Sequence, residues 1–179
     1  MISQLPFYIA AAIAIIASIR VVTGSNAIHA LLYLVVSLLA VAVCFYFMGA
    51  PFAAGLEVIV YAGAILVLFV FAVMMFDLQG DKDPIHYSKH WFSRWIGPVI
   101  LSTILLIEVV YLIISSANTE QYTSSIVSAK QVGILLYGPY LLAVEIASFL
   151  LLAGLIAGYH FAKGDNDFGQ VKDNMGGNL

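Results

Sequence analysis

Residues Ala53–Phe76 read AAGLEVIVYAGAILVLFVFAVMMF. A helix needs roughly 20 apolar residues to cross a bilayer, and this stretch has them with a single charge, Glu57. An ionised carboxylate at the centre of such a helix costs on the order of 2.5–3.5 kcal/mol, so Glu57 needs a reason to be there. Tyr61 follows one turn later on the same helical face. Gly63 removes side-chain bulk where another helix can come close. The segment reads as the working part of the protein.

The rest of the chain is of the same kind. Of 179 residues, 63% are hydrophobic and 9% charged, with a mean hydropathy of +1.02. A soluble domain carries about 25% charged residues. The polar surface is too small to face water on all sides, so the composition indicates an integral membrane protein formed as one bundle. The net charge of −3 and the lack of a basic cluster exclude nucleic acid as a partner. Cys44 is the lone cysteine. It has no disulfide partner and no metal-ligand or cluster spacing around it, and it reads as a small buried hydrophobe.

Five segments are long enough to span, at about 5–22, 27–48, 52–76, 95–115 and 134–161. Their apolar runs are continuous rather than alternating, which excludes a membrane β-barrel. The fold class is therefore an all-α integral membrane protein, with a five-helix membrane domain over 1–162 and a flexible cytoplasmic tail over 163–179. No Lys or Arg precedes Arg20, whereas a secretory signal has a positive n-region, so the first segment is expected to be a retained span. Ser25 or Asn26 is expected to cap the second helix. Gly49-Ala50-Pro51 forces the second and third spans to be antiparallel neighbours. Arg20, Lys82, Lys89, Arg94, Lys163 and Lys172 fall on one side of the bilayer, and Lys130 alone on the other. The positive-inside rule then places the N-terminus outside, in the periplasm, and the C-terminus in the cytoplasm. Tyr87, Trp91 and Trp95 fit the interfacial aromatic belt.

Three carboxyls lie in predicted spans: Glu57, Glu108 and Glu145. None has a Lys or Arg at its depth. Burial favours the neutral form of a carboxyl, and a group able to be neutral or charged suits a proton relay. The plainer reading of each is a hydrogen bonder between helices. With its helix starting near Ile134, Glu145 lies about 15 Å deep at 1.5 Å per residue, close to the midplane. Glu108 has only Ile107, Val109 and Val110 beside it in sequence, and its role stays open. His29 reads as a hydrogen-bonded structural residue. Gly154 and Gly158 form a GxxxG that flattens one helix face, within the chain or against another subunit. No residue pattern marks a catalytic site, a metal site or a bound cofactor.

Three segments in order, NAIHALLYLVVSLLAV (26–41), GLEVIVYAGAILVLFVFAVMM (55–75) and GPYLLAVEIASFLLLAGLIA (138–157), resemble a family of membrane subunits of respiratory complex I. This is the family of bacterial NADH-quinone oxidoreductase subunit J and mitochondrial NADH dehydrogenase subunit 6. The resemblance runs from about Phe7 to Phe161. It implies a multi-pass, non-catalytic subunit of the bacterial plasma (inner) membrane, coupling quinone reduction to proton transfer. NADH, FMN, iron–sulfur clusters and quinone would be bound by other subunits. The implied neighbours are other membrane subunits, especially the three-helix K subunit and those at the quinone site. It also implies a π-bulge at Tyr61-Ala62-Gly63, acting as a helix switch, and proton-relay positions at Glu57 and Glu145. No proline or glycine pair marks the bulge in the sequence. Two other classes are kept: a purely structural or assembly subunit, and a stand-alone small ion transporter. The transporter is disfavoured by the lack of an internal repeat.

Overall fold

The computed structural model describes residues 5–24, 26–77, 91–116 and 126–162. The expected tail, 163–179, lies outside these residues. So do Lys82, His86, Tyr87, Lys89, His90 and Glu120 of the polar connections, and the side chains of Trp91 and Arg94.

The described residues are all helical apart from turns. Helix α1 covers Leu5–Thr23 and α2 covers Ala27–Phe47. The third span runs as α3 (Pro51–Leu56), a π-helical segment (Glu57–Ile65) and α4 (Leu66–Asp77). Helix α5 covers Trp91–Ser116, α6 Ala129–Leu136 and α7 Leu141–Ala162. Among the described residues, five helices are long and apolar enough to cross a membrane. The chain divides into two units, Met1–Ser128 and Ala129–Leu179, where the sequence led us to expect one bundle.

In the first unit the helix ends follow from local chemistry. Asn26 caps α2, its Oδ1 accepting from the His29 backbone N–H at 3.2 Å, which satisfies a donor with no intrahelical partner. After α2 the chain reverses through Gly49 at φ 80°, a conformation that favours glycine. Pro51 then opens α3 at a position whose N–H has no helical partner to lose.

Small side chains let α1 and α2 approach closely. Ala10, Ala14 and Ala17 recur at helical spacing on α1 and are buried together with Val36, Ala40 and Val43 of α2. Ser37 Oγ donates to the Ala14 carbonyl at 3.2 Å. With that proton committed, it accepts from Ser18 Oγ at 2.8 Å. Interhelical bonds of this type are worth about 0.6 kcal/mol each in membrane proteins. Leu105 and Leu112 of α5 complete the core. The rings of His29 and Trp95 meet edge-on at 5.6 Å, and Gly97 lies against the Tyr33 hydroxyl. These two contacts advance along both helices in the same direction, so α2 and α5 are parallel.

The second unit corrects the expected fifth span, 134–161. The helix breaks at a turn over 137–140, and the long helix begins only at Leu141. The cause is Pro139, which lacks an N–H and disfavours helical backbone at Gly138. The turn is closed instead by Tyr140 N–H to the Leu135 carbonyl, 3.1 Å, and Leu141 N–H to the Gly138 carbonyl, 3.2 Å.

Candidate functional site

The site is the middle of the third span. The six residues after the Gly49 reversal form an ordinary α-helix, and the hydrogen-bond ladder then changes. Glu57 N–H is shared between the Ala53 and Ala54 carbonyls, four and three residues back. By the end of the π segment, Leu66 N–H reaches five residues back to the Tyr61 carbonyl. Bonding at i→i+5 puts an extra residue into a turn, a feature that clusters at functional sites. Tyr61, Ala62 and Gly63 lie inside this segment and Glu57 opens it.

An extra residue is a phase change. At 3.6 residues per turn, taking one residue out of the π segment rotates everything beyond it by about 100° and shortens it by about 1.5 Å. What opposes rotation in this chain is small. Among the described side chains of the third span only Ala54 and Leu66 are buried, while Val58, Ile59, Leu68, Phe69 and Phe71 are exposed. Leu66 is seated at 3% exposure, and a fully buried leucine contributes about 1.5–3 kcal/mol. Gly63 is the tight position. A Cβ there would stand 3.1 Å from the Val58 carbonyl oxygen, five residues back.

Glu57 is half-buried and Tyr61 is exposed on the same segment. An open groove of about 730 Å³ adjoins its start, lined by Tyr46 of α2, Ala54 and Gly55 of α3, Val58, and Leu105 and Val109 of α5. Its lining is predominantly apolar.

Glu145 is not where its helix length first placed it. With α7 starting at Leu141, it is four residues in, about 6 Å from the helix end rather than near the midplane. It is exposed on α7, and its backbone carbonyl accepts from Ser148 Oγ at 2.7 Å. Glu57 and Glu145 lie in different units of the chain.

Glu108, the carboxyl with the least to recommend it by sequence, is the most enclosed of the three. It is 7% exposed, and neither carboxyl oxygen has a hydrogen-bond partner among the described residues. The signal was present in α5: Leu101, Leu105, Glu108 and Leu112 recur at helical spacing and form the stripe that packs on the core. His29 Nδ1 lies 3.2 Å from Asn26 Oδ1, but Nε2 is buried without a partner among the described residues. Among the described residues, a Cβ added at Gly154 or Gly158 meets nothing within 4 Å beyond its own helix turn. Cys44 is a free, half-buried thiol. No group of His, Cys, Asp and Glu able to hold a metal ion occurs among the described residues.

Comparison with known proteins agrees with this architecture. Residues 17–161 match the family model for NADH-ubiquinone/plastoquinone oxidoreductase chain 6. The chain is 50% identical over 173 residues to NADH-quinone oxidoreductase subunit J of Escherichia coli K12, covering 96% of this chain and 92% of the relative. It is 48% identical over 164 residues to subunit J of Pseudomonas aeruginosa, covering 90% and 98%. It is 44% identical over 158 residues to subunit J of Buchnera aphidicola from Schizaphis graminum, covering 88% and 96%. With matches of this length along both chains, the protein belongs to the NADH-ubiquinone/plastoquinone oxidoreductase chain 6 family.

Proposed function

We propose that this protein is the J subunit of a proton-translocating NADH-quinone oxidoreductase of the bacterial inner membrane. In this reading the N-terminus faces the periplasm, and the other membrane subunits of the complex, the K subunit among them, pack on the exposed apolar helices. The chain holds no redox centre and is not itself the catalyst. It couples quinone reduction elsewhere in the complex to proton movement.

The observation that carries the mechanism is the π-helical turn opened by Glu57. Conversion between π and α backbone turns α4 against α3 by about 100° for each residue taken out. Unseating Leu66 sets the scale of the difference at a few kcal/mol, within reach of partner contacts. Glu57 passes a proton by changing its protonation as its surroundings change, and Gly63 lets the tight state form. Glu145, on the other unit, serves as a relay position nearer the membrane surface. A carboxyl that moves between a wet and a dry setting is a group whose proton affinity changes.

The membership claim is tested by extracting membranes in mild detergent, separating complexes on a native gel and finding this polypeptide by mass spectrometry. Migration within a large assembly that reduces quinone with NADH supports the reading. Migration alone or as a small oligomer refutes it and favours a stand-alone transporter. Glutamate variants that lose assembly rather than proton transfer would favour a purely structural subunit.

A further inference from the structure

Glu108 has no part in the switch described above, yet it is the most anomalous polar group among the described residues. Buried polar groups are nearly always hydrogen-bonded, and each exception calls for an explanation. Here a carboxyl at 7% exposure leaves both oxygens unpartnered in a seam whose other members are Leu101, Leu105, Leu112 and the alanine-lined faces of α1 and α2. An ionised, unpaired carboxylate in such a seam costs several kcal/mol. A leucine of similar volume would fill the space without that cost. As a packing residue, Glu108 is a poor choice.

Its position offers a use. The contacts of His29 with Trp95 and Tyr33 with Gly97 set the register of the parallel helices α2 and α5. Carried along both helices, that register brings Glu108 level with Cys44. Leu105, Val109 and Leu112, which flank Glu108 on α5, also line the groove bounded by Ala54, Gly55 and Val58 of the third span. Glu108 is therefore next in sequence to a groove-lining residue, Val109, and across the groove stands Val58, in the π segment.

We propose that Glu108 is a second proton-holding carboxyl of this subunit, screened from water by Leu105, Val109 and Leu112 and exposed to it when the third span moves. Screened, it keeps its proton. Opened to water in the groove, the acid releases that proton to water and is left as the carboxylate. It takes a proton back from water before the screen closes. The ligand is water or its hydrated proton. The inference rests on the switching role proposed for the third span.

The test uses the whole complex in proteoliposomes, with Glu108→Gln and Glu57→Gln prepared in parallel. Glu108→Gln keeps the shape and the neutral polar group but cannot exchange a proton. The expected result is an assembled complex that oxidises NADH but has lost part of its proton uptake. Its redox-difference infrared spectrum should also lack one protonated-carboxyl C=O band. Normal proton uptake with an unchanged infrared spectrum overturns the proposal. If Glu57→Gln is impaired while Glu108→Gln is normal, only the Glu108 inference fails. If both are normal, the proton-relay reading fails with it. Should Glu108→Gln not assemble, the wild-type complex is treated with a hydrophobic carbodiimide, which reacts with protonated carboxyls. An adduct mapped to Glu108, with loss of proton uptake, supports the proposal. Adducts on other membrane carboxyls and none on Glu108 overturn it.

Discussion

Replacing Gly63 by alanine tests the π segment with a single methyl group. The added Cβ would stand 3.1 Å from the Val58 carbonyl oxygen, so that carbonyl must retreat by a few tenths of an ångström. The contact belongs to the π turn, because residue 58 is five back from residue 63. In an α turn residue 63 faces the Ile59 carbonyl instead, the ordinary helical geometry in which alanine is the best-tolerated residue. The substitution therefore penalises the π form selectively. At the low end of the range for a strained insertion, the penalty is about 1 kcal/mol, a shift of about fivefold in the π–α balance. Gly55 on the same span is the control, since a Cβ there meets nothing within 4 Å. The assay is NADH-driven proton uptake by inverted membrane vesicles containing the complex. Gly63→Ala should slow coupled turnover about fivefold, and Gly55→Ala should leave it near wild type. Equal rates for Gly63→Ala and wild type would refute the reasoning. Equal losses in both variants would show that the third span tolerates no added bulk anywhere, which is a different property.

Three further outcomes follow from packing. Ser37→Ala removes the bond to Ala14 and strands the Ser18 hydroxyl. At about 0.6 kcal/mol per bond it should lower the chain's stability in detergent by about 1 kcal/mol, and no change would mean that the bonds do not hold α1 to α2. Gly97→Ala drives a Cβ into the Tyr33 hydroxyl and should cost about 1–3 kcal/mol. Tyr33→Phe in the same chain should recover most of that, and strictly additive losses in a double-mutant cycle would contradict the contact. Leu66→Ala, at 3% exposure, should destabilise the chain by about 2–5 kcal/mol. Leu68→Ala, at 71%, should change it little, and similar effects at both positions would remove Leu66 as the seat of α4.

The spans were legible because membrane helices declare themselves by length and continuous apolarity. The Asn26 cap and the Gly49 reversal were legible because each meets a need of the backbone. The break at Pro139 was missed by following hydrophobicity through Tyr137–Tyr140 when proline had already removed a donor there. That error misplaced Glu145, whose depth was measured from the wrong helix start. The π ladder over 57–65 could not be read from composition, because no proline or glycine pair marks it and its residues are unremarkable α-formers and β-branched residues. Glu108 was undervalued for its apolar sequence neighbours, although Leu101, Leu105 and Leu112 already placed it on the buried stripe. Sequence neighbours on a helix point in other directions, and the residues three and four away decide the environment.

The central claim is that Glu57 carries protons through this subunit. The most direct measurement is the number of protons taken up per NADH oxidised by the purified complex in proteoliposomes, with Glu57→Gln compared against Glu57→Asp. Both variants should assemble and reduce quinone, with the ratio lowered in Glu57→Gln and largely restored in Glu57→Asp. A wild-type ratio in an assembled, active Glu57→Gln complex would contradict it.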